Sequence, residues 1–156
     1  MKPGATLFVL LLTLWLCAEP AQARLGENLD QCAARYGSIV KEEEGIIPST
    51  TVYSFQKKHV NILVTTSQNV CIKITYSKVD GSPFSRDEIE TLLQSNVGTS
   101  AWGVQEKDGT YSCLRNDYKA IALYNKGDKE FSVSDYNFRE KETALLRAKR
   151  TGLEGF

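Results

Sequence analysis

His59 is the single histidine of the chain, and it stands beside Lys57 and Lys58. Its side chain is the one type present whose ordinary pKa suits proton transfer near neutrality. A hydrolase would use it as general base, next to a positioned serine and an orienting carboxylate. No Gly-x-Ser-x-Gly elbow is present to supply that nucleophile. Nothing near His59 in sequence completes the constellation, so the residue is expected in an exposed turn.

The cysteines are the next candidates. Cys32, Cys71 and Cys113 follow an N-terminal Cys17. They show neither Cys-x-x-Cys nor a histidine at zinc-ligand spacing, so no metal site and no cofactor are expected. Three residues allow three choices of a single disulfide. Cys71–Cys113 is the pairing put forward, with the others left open. A thiol outside the bond would behave as a small buried hydrophobe, and Cys32 lies on an apolar helical face suited to that.

The acidic residues have plainer readings. Three like charges in a row, Glu42-Glu43-Glu44, are expected to repel and stay wet in a loop. Asp87 and Glu88 resemble an acid pair, but Ser85 and Glu88 have the spacing of a helix capping box, which accounts for both. Trp102 is expected to pack between helix and sheet, with an interface anchor as the alternative role.

These residues sit on elements that the apolar spacing outlines. Leu29, Cys32, Ala33 and Tyr36 recur as one helical face, with Asn28 as N-cap and Gly37 as terminator. Strands are expected at 51–56, 60–65 and 70–76. In the last, Val70, Ile72, Ile74 and Tyr76 alternate with Cys71, Lys73 and Thr75, as in a half-buried antiparallel strand. Ser85 opens a second helix whose core face carries Ile89, Leu92 and Leu93, with Phe84 and Ile89 as its hydrophobic staple. Strands follow at 101–105, 110–114, 119–124 and 130–134. Turns at 107–109 and 126–128 place Gly109 and Gly127 where a positive φ is wanted. A charged helix over about 137–150 ends the fold, with basic residues in its last turn.

The first 23 residues read as a secretory leader. Lys2 is followed by the apolar run 7–18, too short to span a bilayer comfortably. Pro20 breaks the run, and Ala21 and Ala23 are small where a signal peptidase cuts, so cleavage is expected between Ala23 and Arg24. Leu16 is too large for the lipid-attachment motif that would recruit Cys17. Lysine plus arginine equal aspartate plus glutamate at 19 each. Losing Lys2 and Glu19 keeps the balance, so no net field steers the chain toward nucleic acid. The remainder, 24–156, fits one domain with no membrane span after cleavage. Tyr53-Ser54-Phe55 with Val60 to Val64 is echoed by Tyr111-Ser112-Cys113 with Tyr118 to Ala122, so 26–77 and 84–136 are expected to be two copies of one unit.

Leu25-Gly26-Glu27-Asn28-Leu29, Arg35-Tyr36-Gly37, Ser85-Arg86-Asp87-Glu88-Ile89 with Trp102, and Leu153-Glu154-Gly155-Phe156 resemble a group of small exported bacterial proteins of unknown function. The helix-then-meander order is similar, more distantly, to the β-lactamase inhibitory protein and the outer-membrane assembly lipoproteins. That resemblance implies binding of another protein through an open sheet face or hairpin loops, without catalysis. The chain departs from the inhibitors, which carry one disulfide per repeat, and from the lipoproteins, which carry a lipidated cysteine. Fold alone does not assign function.

The expectation is an α+β fold. Two helix-plus-meander units share one antiparallel sheet, with helices packed on one face and a C-terminal helix. The expected function is a secreted or periplasmic, non-enzymatic module that binds a protein or envelope component. The expected binding face carries Asn61, Leu63, Thr65, Lys73 and Thr75, with Cys71 beside them. An extracytoplasmic hydrolase and a structural envelope component are the alternatives.

Overall fold

The computed structural model describes residues 24–98 and 100–152. The leader, Ala23 on one side of its cleavage site, and the 153–156 segment lie outside them. The first half comprises α1 (Leu29–Tyr36), β1 (Lys41–Glu44), β2 (Thr50–Lys57), β3 (Val60–Ser67) and β4 (Val70–Lys78). The second comprises α2 (Arg86–Ser95), β5 (Trp102–Lys107), β6 (Thr110–Arg115), β7 (Ala120–Asn125) and β8 (Glu130–Asp135), and α3 (Tyr136–Thr151) follows. The eight strands make one sheet in the order β1-β2-β3-β4-β8-β7-β6-β5. Every pairing in it is antiparallel. The closing strands of the two meanders meet at its centre, with Ile74 opposite Val133 and Tyr76 opposite Phe131. The protein is α+β, with each half built as a helix followed by a four-stranded meander.

Local signals fix both short helices. Asn28 and Gln31 form a reciprocal capping box on α1, and Ser85 and Glu88 form another on α2. Each box satisfies two backbone donors that a helix start otherwise leaves bare. Gly37 ends α1 at φ 97° and ψ −157°, a region open essentially to glycine alone rather than the left-handed helical one. The indole Nε1 of Trp102 donates to the Leu93 carbonyl at 2.9 Å, so this half-buried side chain closes the last turn of α2 and packs on the core.

Residues alternating along the strands bury one face. Phe55, Ile62, Val64, Ile74, Tyr76, Phe131 and Val133 are nearly inaccessible there. Cys32 and Tyr36 of α1, and Ile89 and Leu93 of α2, pack down onto them. Burying one such aliphatic side chain stabilises by about 1.5–3 kcal/mol. Tyr36 lies 5.7 Å from Phe55 and edge-on to Tyr76, while Phe84 stands edge-on to Tyr124 at 6.2 Å. An aromatic cluster thus sits under each helix. Phe84 and Ile89, the expected staple, are both part of this core.

Four expectations need correction. Residues 41–44 are not a loop but the edge strand β1, with Glu42 opposite Tyr53 and Glu44 opposite Thr51. Its Lys-Glu-Glu-Glu sequence is exposed throughout, and such charge keeps a sheet edge from pairing with another chain. Second, the alternation of β4 is broken by a bulge. Thr65 pairs with Lys73 and Thr66 with Cys71, which leaves Ile72 as the extra residue. The added residue reverses the parity, so Cys71 is in the core and Val70 is exposed. Cys71 therefore leaves the expected binding face. Third, Cys71 and Cys113 do not pair. Their strands are separated by β8 and β7, about 14 Å at ordinary strand spacing, twice what a disulfide bridges. Fourth, Lys129 at φ 59°, not Gly127, takes the positive φ in the β7–β8 turn. At the β5–β6 turn, Asp108 and Gly109 both do, at 53° and 75°.

The position of α3 was not fixed by the sequence. Asp135 caps it and Gly152 closes it in the left-handed conformation. It lies across the second sheet face, opposite α1 and α2, and buries Phe138 and Glu142 there.

Candidate binding cleft

Residues that alternate away from the core fall on the second face. Leu63, Thr65, Lys73 and Thr75 line one cleft there, together with Val52, Phe138, Glu142 and the β1–β2 loop from Gly45. Its volume is about 180 Å³. The loop can close tightly on the cleft because Gly45 has no side chain: a Cβ there would lie 2.0 Å from Thr50 Oγ1 and 3.2 Å from the Thr50 carbonyl oxygen. Gly45 N–H donates to that carbonyl at 2.9 Å. Four of the five residues expected on the binding face meet in this cleft. Asn61 is exposed elsewhere on β3 and is not part of its lining.

The floor is ionic. Lys73 Nζ meets Glu142 Oε1 at 2.6 Å, and Arg139 Nη1 meets Glu142 Oε2 at 3.0 Å. The Glu142 side chain is 7% exposed, and each of its carboxylate oxygens faces one of these cations. Sequence reasoning missed Phe138, Arg139 and Glu142. Their signal was the i, i+4, i+7 stripe of Phe138, Glu142 and Leu145, in which an acid within an apolar row implies a cation on the facing surface. The rim is apolar: Ile46 is 49% and Leu63 38% exposed. A second hollow, about 300 Å³, flanks α3 on its other side, between Lys73, Thr75, Leu123, Ser132 and Arg139. Lys73 and Thr75 border both.

His59 is exposed in the β3 hairpin turn, far in register from this cleft. The Glu88 carboxylate accepts from Lys78 at 2.8 Å and from the Ser85 N–H at 2.7 Å. The Lys78 contact, and then the backbone donor, hold its pKa below the ordinary glutamate value. That is cap chemistry, with Lys78 also lying over the Phe84 ring at 5.5 Å.

The other buried polar cluster lies under α1. Tyr36 and Tyr76 share a hydrogen bond of 2.9 Å between hydroxyls. Burial drives both phenol pKa values upward, so both stay neutral. The Asn96 amide donates to the Leu92 carbonyl at 2.8 Å. Its Oδ1 has no well-aligned partner, and the side chain lies beside the Tyr76 hydroxyl already taken by Tyr36. Close by lie the buried thiols of Cys32 and Cys71, and Cys71 Sγ donates to the Lys73 carbonyl at 3.8 Å. The neighbouring thiol holds the Cys32 pKa below its ordinary value, while Cys32 and burial push Cys71 up. Cys113 stands apart, and burial alone raises it to about 11. Among the described residues, no group of three or more His, Cys, Asp or Glu side chains is arranged to hold a metal ion. No described helix is long and apolar enough to cross a membrane.

Neither a family model nor a curated protein matches the chain. Among solved structures, a crystal structure of a cysteine-rich secretory protein from Staphylococcus aureus subsp. aureus Mu50 is similar, with a TM-score of 0.42 at 10% identity. The match covers 73% of this chain and 45% of that one, so the chain spans less than half the length of that protein.

Proposed function

We propose that the protein is an exported, non-enzymatic binding module that holds a protein or envelope partner in the cleft between α3 and the second sheet face. The observation that carries this reading is the convergence of Leu63, Thr65, Lys73 and Thr75 with Phe138 under an exposed apolar rim. Such a rim over a fixed ionic floor suits an apolar side chain flanked by polar backbone. The leader-like segment supports a secreted or periplasmic location. The matching helix-plus-meander order of the two halves supports reading 26–77 and 84–136 as copies of one unit.

The test is capture from envelope extract on immobilised protein, read by mass spectrometry, beside a Leu63→Glu variant that melts like the parent. A set of proteins retained by the parent and lost from the variant is expected. Equal capture by both would remove the cleft from the reading.

A further inference from the structure

We propose that Cys32 and Cys71 are a disulfide pair, closed as the chain folds in an oxidising compartment, that staples α1 to the head of β4. The placement of the two residues carries this. Backbone bonds fasten the segment before α1 to the start of β4: Gly26 N–H donates to the Cys71 carbonyl at 2.8 Å, and Cys71 N–H donates to the Glu27 carbonyl at 2.7 Å. Asn28 forms an isolated bridge with Val70. One turn later, Cys32 faces down from the helix, and its N–H donates to the Asn28 carbonyl at 3.1 Å. The Ile72 bulge brings Cys71 into the core to meet it. The two residues are 0% and 1% exposed and belong to the same core cluster. A disulfide requires two Cβ atoms that face each other across a short gap, and the backbone bonds at Cys71 hold the head of β4 against the segment that leads into Cys32.

The chemistry is a two-electron oxidation. One cysteine, as thiolate, attacks a disulfide oxidant such as oxidised glutathione and releases one reduced thiol. The second cysteine then attacks the mixed disulfide, forms the Cys32–Cys71 bond and releases the other reduced thiol. Each leaving thiolate takes up one of the two cysteine protons. Because the folded core seals both sulfurs, the exchange belongs to folding rather than to the finished protein. The bond is useful because α1 has only 8 residues, too few to hold a helix without tertiary support.

The experiment is refolding of the reduced, unfolded full chain in a glutathione buffer, followed by alkylation under denaturing conditions and peptide mapping. The expected result is a Cys32 peptide linked to a Cys71 peptide, with Cys17 and Cys113 alkylated. The oxidised protein is expected to melt about 10 °C above the same protein kept in dithiothreitol. A Cys113→Ala variant is expected to form the same link, which keeps the test open if Cys71→Ala fails to fold. Native circular dichroism with both Cys32 and Cys71 alkylated would overturn the proposal. So would a link from either of them to Cys17 or Cys113.

Discussion

Lys73 on β4 and Glu142 on α3 form an ion pair of 2.6 Å that holds the C-terminal helix to the second sheet face. Arg139 is the other cation on that carboxylate, at 3.0 Å. Removing Glu142 leaves two cations facing each other, one of them on a side chain only 19% exposed. Glu142→Ala should therefore cost about 3 kcal/mol, toward the low end for a broken buried pair. Lys73→Ala should cost less, about 1–2 kcal/mol, because Arg139 still neutralises Glu142. Joint replacement, Lys73→Met with Glu142→Leu, should return close to the parent. Urea melts of the four proteins check the order, and a double variant less stable than Glu142→Ala would contradict it.

The Tyr36–Tyr76 hydrogen bond makes a second expectation. Both hydroxyls are buried, so deleting one leaves the other without its partner. Tyr36→Phe and Tyr76→Phe should each cost about 1–3 kcal/mol, and the double variant less than their sum. Chemical denaturation of the three variants measures that coupling. Full additivity would mean the shared bond adds nothing.

Two local rules made much of this fold legible beforehand. The Asn28 cap announced the start of α1, and the Ser85–Glu88 capping box announced that of α2, because such caps satisfy backbone donors without help from the rest of the chain. Alternation announced β3 for the same reason: Ile62 and Val64 face one way by pleat geometry alone. What failed was non-local. Glu42 to Glu44 carry no strand propensity, and they are extended only because β2 offers an edge to pair with. The Ile72 bulge depends on how β3 and β4 meet, which no single-strand pattern encodes. The expected binding face rests on the alternation of β3 and β4 alone, which says nothing of α3 lying over it. Lys73 lies on the second sheet face, where it is the partner of Glu142.

Acid should reveal the Glu88 cap. Its pKa in the folded protein is lowered by Lys78 and the Ser85 N–H. A carboxylate with a depressed folded pKa adds stability that is present above its unfolded pKa, about 4.3. That stability is lost as pH falls through the lower folded value. Glu88→Gln keeps the capping oxygen but not the charge. The variant should be less stable than the parent at neutral pH and converge on it below about pH 4. The side chain is 44% exposed, so screening keeps the neutral-pH gap well under about 1 kcal/mol. Paired thermal melts from pH 3 to 7 give the comparison; a gap that widens in acid would reverse the assigned sign.

The exposed edge strand offers a sharper test of what β1 does. Its backbone pairs with β2 on one side, and among the described residues no strand pairs with its other side. All four residues are charged and exposed, with Lys41 paired to Glu43 at 2.7 Å. Charges of this kind oppose pairing of the edge with a second copy, which would bring like charges into register. Glu42→Thr with Glu43→Val keeps the strand, and raises its β-propensity, while removing that protection. The fold should survive with its melting temperature little changed. Self-association should rise at high micromolar concentration, visible as a larger sedimentation coefficient, and added salt should not reverse it. If β1 were held open only by loop dynamics, the same substitutions would leave the protein monomeric at every concentration. Should the variant instead unfold, the charges of β1 would be needed for the meander itself rather than for keeping its edge free.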